Sequence, residues 1–170
     1  MRSFEVVCCL VLGVLLTGCA GYKLGPTNGL EAGSRSIQIN PPVNETYEPR
    51  LSVELNQQLR KLIQRDGTYH LASHGDPDLI VNGTIMQYQR IEVTLSSADI
   101  LTVRDYRITL TAQVTARERA TGKLLLDQSV HGYTLIRVGS DLPSAERQAT
   151  PLLAEDLARN VTALLAEGKW

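Results

Sequence analysis

Few residues in this chain have the type and setting to do chemistry, and Cys19 is the clearest of them. It directly follows Leu16-Thr17-Gly18, which closes an apolar run from Val6 to Leu16 broken by one glycine. The run is shorter than the about 20 residues that a bilayer-spanning helix needs, but it suits the hydrophobic region of a signal peptide. Arg2 supplies the positive charge expected ahead of such a region, although Glu5 nearly cancels it. Small residues immediately before a cysteine resemble the lipobox cut by the lipoprotein signal peptidase, which leaves that cysteine first in the mature chain. The expectation is a signal peptide over residues 1–18 and lipidation of Cys19. An ordinary signal peptide with an incidental cysteine, or an uncleaved anchor, are the alternatives. One acyl chain binds a membrane only marginally, whereas two or more hold stably, so a lipoprotein cysteine makes a lasting anchor. Ala20 in the next position favours the outer membrane under the sorting rule of enteric bacteria.

The other reactive side chains do not assemble into a recognisable catalytic set. Cys8 and Cys9 lie inside the apolar run and leave with it, so the 152 residues remaining from 170 hold one cysteine and no internal disulfide. No G-x-S-x-G elbow, phosphate loop or G-x-G-x-x-G is present. His70 and His74 straddle a strand and a turn with no third ligand, which makes them surface histidines. His131 stands alone. Asp76 and Asp78 flank Pro77, a place where Asp serves backbone hydrogen bonding in turns. The reading is that of a protein that is not an enzyme and has no cofactor or metal.

The remaining chemistry is cationic. Arg107 and Arg117 lie on one side of a long strand, and Arg90, Arg104, Arg119 and Lys123 fall at or near strand ends. Guanidinium groups pair well with phosphate, so this face could meet a phosphorylated glycolipid or the polar lumen of another protein. On pattern alone the simpler reading is a solvated face whose charges discourage aggregation.

These residues must be positioned by a small set of elements. A glycine-rich tether runs from Cys19 to Ser34 and could extend roughly 50 Å at about 3.3 Å per residue. Ile37 and Ile39 alternate with polar neighbours in a short strand, stopped by Pro41-Pro42. Pro49 opens a helix with Leu51, Leu55, Leu59 and Leu62 on one face, and Asp66-Gly67 ends it. A short strand is expected at 69–72. Leu79 to Val93 forms the next strand region, with Gly83 a candidate bulge. From Tyr106 to Arg117 apolar and polar residues alternate without a break, which gives one buried and one polar face. Ala120-Thr121-Gly122-Lys123 makes a hairpin turn, and Leu124 to Val138 returns antiparallel. Ala149, Leu152, Leu153, Leu157, Val161, Leu164 and Leu165 mark a closing helix. Pro151 fits either a start at Thr150 or a kink in a helix already begun near Ser144; Ala145, extending the stripe backwards, favours the earlier start. The sum is a single α+β domain over residues 35–170. It is a two-layer sandwich with a four- to five-stranded, mostly antiparallel sheet and two amphipathic helices on one face. A strand–helix–strand crossover makes the first strand parallel to a later one.

Charge and composition narrow the partners. Removing the signal takes one Arg and one Glu from 17 basic and 18 acidic residues, leaving a net charge near −1. With aromatics at 5%, the stacking platforms that bind single-stranded nucleic acid are scarce, and no nucleic-acid partner is expected.

Several segments in this order resemble the LPS-assembly lipoprotein family LptE. Cys19 is followed by Gly21-Tyr22-Lys23-Leu24, similar to that family's Cys-Gly-Tyr-x-Leu opening. The segment from Ile37 to Thr46 is similar to that family's strand ending in a Pro/Asn/Thr segment. Pro49-x-Leu51 with its helix, Asp78-Leu79-Ile80-Val81-Asn82-Gly83 opening a strand, and Arg119-x-Thr121-Gly122-Lys123 complete the likeness. Each motif is loose, and their order carries more weight than any one. The resemblance implies an outer-membrane lipoprotein on the periplasmic side that plugs an LptD-type β-barrel and helps lipopolysaccharide reach the outer leaflet. It assigns no lipopolysaccharide-contact residues; Arg107 and Arg117, with Arg90, Arg104 and Lys123, are candidates from the strand pattern only. A rival is a CsgG- or LpoB-like lipoprotein serving a secretion pore or a cell-wall synthase, whose longer tether or pore-forming segments are not evident here.

Overall fold

The computed structural model describes residues 31–95, 103–138 and 141–168. The expected signal peptide, Cys19 and the tether up to residue 30 lie outside the described residues. Six strands and two helices follow in the order β1 (Arg35–Ile39), β2 (Val43–Asn44), α1 (Leu51–Asp66), β3 (Tyr69–Leu71), β4 (Leu79–Leu95), β5 (Val103–Glu118), β6 (Leu124–Arg137) and α2 (Leu142–Glu167). They build an α+β domain on one sheet of order β3-β1-β4-β5-β6, with β2 pairing β4 off that path.

The sheet is mixed and has six strands rather than four or five. Its long ladders, β4 with β5 and β5 with β6, are antiparallel. Its short ones are parallel: β1 with β3, β1 with β4 and β2 with β4. The additional strand, β2, falls in the segment after Pro41-Pro42. There Asn44 turns the chain toward the helix: its Oδ1 accepts from the Thr46 N–H at 3.0 Å and hydroxyl at 2.8 Å, and its Nδ2 donates to the Glu48 carbonyl at 2.7 Å. The Asn-Glu-Thr segment is therefore a turn device.

α1 starts at Leu51, with Arg50 as N-cap and Pro49 one residue earlier, so Pro49 precedes the helix instead of opening it. Gly67 ends α1 in the left-handed conformation (φ 75°) with its N–H on the Ile63 carbonyl. α2 takes the earlier of the two starts. Asp141 caps it by accepting the Ser144 N–H at 2.7 Å, and Pro151 lies inside it.

Both helices pack on one side of the sheet. Leu51, Leu55, Leu59 and Ile63 of α1 and Leu153, Leu157, Val161 and Leu165 of α2 bury against Ile37, Ile39, Leu79, Val81, Ile85 and the inner row of β5. That row is Ile108, Leu110, Ala112, Val114 and Ala116, all buried as the alternation requires. Each fully buried Leu or Ile contributes about 1.5–3 kcal/mol of transfer free energy. The Tyr69 hydroxyl donates to the Leu165 carbonyl at 2.9 Å, which joins β3 to the end of α2 inside the core.

Candidate partner-docking face

The other side of the sheet has no helix over it among the described residues, and its side chains fall into rows fixed by register. At one end stands Ile91–Arg107–Leu135, and next to it Gln89–Thr109–Tyr133. The middle rows are Gln87–Thr111–His131, Thr84–Gln113–Ser129 and Asn82–Thr115–Asp127. Ile80–Arg117–Leu124 closes the other end. Each arginine thus sits between two aliphatic residues, and ten residues of strand separate them by about 33 Å.

The middle rows are knit together. Thr111 Oγ1 lies 3.0 Å from His131 Nδ1, and Gln113 Nε2 donates to Asp127 Oδ1. The end rows are not. Arg107 lies over the Tyr133 ring at 5.6 Å from its centroid, a cation–π contact. Arg117 reaches the Gly122 carbonyl at 3.4 Å. Neither guanidinium is matched with a carboxylate among the described residues. Around Arg107, Ile91, Tyr133 and Leu135 are 52%, 58% and 59% exposed. A cationic group in an apolar surround suits an amphiphilic or mixed surface better than bulk water.

The other candidate cations divide differently. Arg90 is on the helix-covered side, where its Nε donates to Glu146 of α2. It does not share the open face with Arg107 and Arg117. The cause is a bulge: the β4–β5 register shifts between Ile85 and Gln87, leaving Met86 unpaired and reversing the facing of the β4 residues from Gln87 to Glu92. The bulge falls at Met86 and not at Gly83, which stays in regular register opposite Val114. Close by, burial first, then the charges of Glu146 and Glu48, push the Tyr88 pKa up. Arg104 lies in β5, but its side chain is outside the described residues. Lys123 is exposed in the β5–β6 turn, its N–H held by Thr121 Oγ1 at 3.2 Å. Arg119 pairs with Asp76 at 2.6 Å.

His70 and His74 are exposed. Asp78 serves the fold: its Oδ2 accepts the Ser36 N–H and hydroxyl, each at 2.7 Å, tying the start of β4 to β1. Those hydrogen bonds, the backbone one foremost, hold its carboxyl below the usual range. A cleft of about 330 Å³ opens between the N-terminal ends of the helices, lined by Glu48, Arg50, Glu54, Glu146 and Arg147 among others. Among the described residues, no group of three or more His, Cys, Asp or Glu is placed to hold a metal, and no helix is long and apolar enough to cross a membrane.

The apolar flanks of the open face are the part that sequence reasoning missed. Tyr133 and Leu135 alternate with buried Gly132 and Ile136, but the run from Gly132 to Ile136 is too nearly apolar for its outward side to show.

The fold and this face define a two-layer α+β domain with one packed and one open sheet surface. Residues 34–165 match the family model LptE, described as lipopolysaccharide-assembly, and the chain belongs to that family. Solved structures share the fold. A hypothetical protein from Chlamydia trachomatis superposes with a TM-score of 0.58 at 9% identity, covering 78% of this chain and 95% of that one. A protein from Xanthomonas campestris gives 0.55 at 9% identity, covering 85% and 89%. A candidate lipoprotein from Caulobacter crescentus gives 0.52 at 12%, covering 75% and 87%. At these identities the likeness concerns the fold alone. The search of curated proteins finds no match.

Proposed function

We propose that this protein is an outer-membrane lipoprotein on the periplasmic side, anchored through Cys19, that seats its open sheet face within the lumen of an LptD-type β-barrel and assists lipopolysaccharide toward the outer leaflet. Its family membership supplies the process. The observation that carries the rest is the open face itself, where Arg107 and Arg117 stand about 33 Å apart with no carboxylate matched to either among the described residues. Barrel interiors in the outer membrane are polar, and an uncovered guanidinium pairs with a carboxylate or a lipid phosphate equally well. The role needs no covalent chemistry. The domain acts by fit, so no turnover belongs to it.

The test is charge reversal at Arg107→Glu together with Arg117→Glu, followed by gentle detergent extraction. The parent protein is expected to bring down a large barrel in equal proportion, and the variant to bring down little. Lipopolysaccharide capture by the purified protein is measured in parallel. A variant that folds and retains both partners returns the face to mere solvation.

A further inference from the structure

The free edge of β6 offers the longest row of backbone groups to a strand from another molecule, and α2 crosses it at one place. The crossing is at Gly132, so close that a Cβ there would lie 2.5 Å from the Leu157 nitrogen and 2.7 Å from its Cα and Cβ. On either side of this glycine, side chains of α2 take up edge groups. Asp156 Oδ2 accepts the Tyr133 N–H at 3.0 Å, and Asn160 Nδ2 donates to the His131 carbonyl at 2.8 Å. Antiparallel strands point their backbone groups alternately to the two sides, so His131 and Tyr133 present theirs away from β5. One acceptor and one donor, four residues apart on a helix face, therefore stand where an incoming strand would place its own carbonyl and N–H. Asp156 is steadied by Arg159, whose guanidinium lies 3.5 Å from Oδ1.

The rest of the sheet perimeter is blunted by other means. The β5–β6 register shifts between Ala116 and Arg117, putting a bulge near Leu125, and an Arg137–Asp105 ion pair at 2.8 Å marks the far end of β6. β3, at the opposite edge, has three residues. β4 beyond β2 is interrupted by register shifts at Met86 and near Val93.

We propose that Asp156 and Asn160 form a clasp that closes the β6 edge to strand addition, so that this domain meets other molecules through its open face. The clause about the face rests on the docking reading above; the clasp does not. The experiment uses the full-length protein in mild detergent, with light scattering over a wide concentration range and amide hydrogen exchange. In Asp156→Ala with Asn160→Ala, the Tyr133 amide should exchange about tenfold faster, the effect of losing one net hydrogen bond. Dimers should appear with rising concentration, with the amides of Asp127 and Ser129 newly protected. Asp156→Asn, which keeps an acceptor, should stay monomeric, while Asn160→Asp, which loses the donor to the His131 carbonyl but leaves the Tyr133 N–H on Asp156, should dimerise with rising concentration without faster Tyr133 exchange. If the double variant does not fold, Asn160→Asp, a change at an exposed position, decides in its place. A double-alanine variant that stays monomeric with unchanged Tyr133 exchange overturns the clasp, and so does an Asn160→Asp variant that stays monomeric. So does a parent protein that already pairs through β6. Barrel capture by the parent is scored separately, so failed docking and a failed clasp are told apart.

Discussion

Arg107 illustrates how a charge is set for recognition. Its neighbours across both strands are aliphatic, and Tyr133 lies beneath its guanidinium. An apolar surround weakens local screening, so an arriving phosphate or carboxylate is bound more firmly there than at a fully hydrated arginine. Asp78 shows the opposite use of a charge, spent within the fold on Ser36. Because its folded pKa is lowered, its contribution to stability is complete above the unfolded value of about 3.9 and is lost as pH falls through the folded one. Melting Asp78→Asn beside the parent should therefore show a gap at neutral pH that closes in acid. A gap that persists unchanged at the lowest pH would argue against this origin. At this scale the sequence was readable only in part. Arg107 and Arg117 follow from strict alternation, but counting by twos from Leu79 sends Arg90 to the wrong face. One unpaired residue, Met86, reverses the count, and a bulge has no reliable sequence mark when no glycine occupies it.

Elements differed in legibility for a similar reason. β5 could be read at sight because sixteen residues give a period of two room to repeat. β2, with two residues, has no period to show, and its pairing is fixed by β4 and by the Asn44 turn. α2 could be placed because its stripe continues through Pro151. The helix tolerates that proline by giving up one N–H, while Thr150 Oγ1 donates to the Glu146 carbonyl at 2.9 Å one turn earlier. Pro151 is exposed, so replacing it disturbs no packing. Pro151→Ala should restore a helical bond to the Arg147 carbonyl and stabilise the domain by up to about 3 kcal/mol, measured as a raised denaturation midpoint at constant slope. No gain would mean that the sheet requires the bend at this point.

For the whole molecule, the proposed attachment and the shape act together. Cys19→Ala should abolish acylation in intact-mass measurement and move the protein from the membrane to the soluble fraction. An acyl group still present would place the anchor elsewhere. The chain enters the domain near the start of β1, where the Gly33 N–H donates to the Thr68 carbonyl at 3.1 Å. From that end β4 runs 17 residues, about 55 Å at 3.3 Å per residue before twist and bulges shorten it. The apolar band of an outer-membrane barrel is only about 25 Å tall. In the proposed docking, a rod of this length aligned with the pore axis would overshoot the bilayer, leaving roughly half of its span beyond one rim or shared between both. The two arginine rows, about 33 Å apart, would then experience different media: if one lies at mid-membrane depth, the other stands in water or among headgroups.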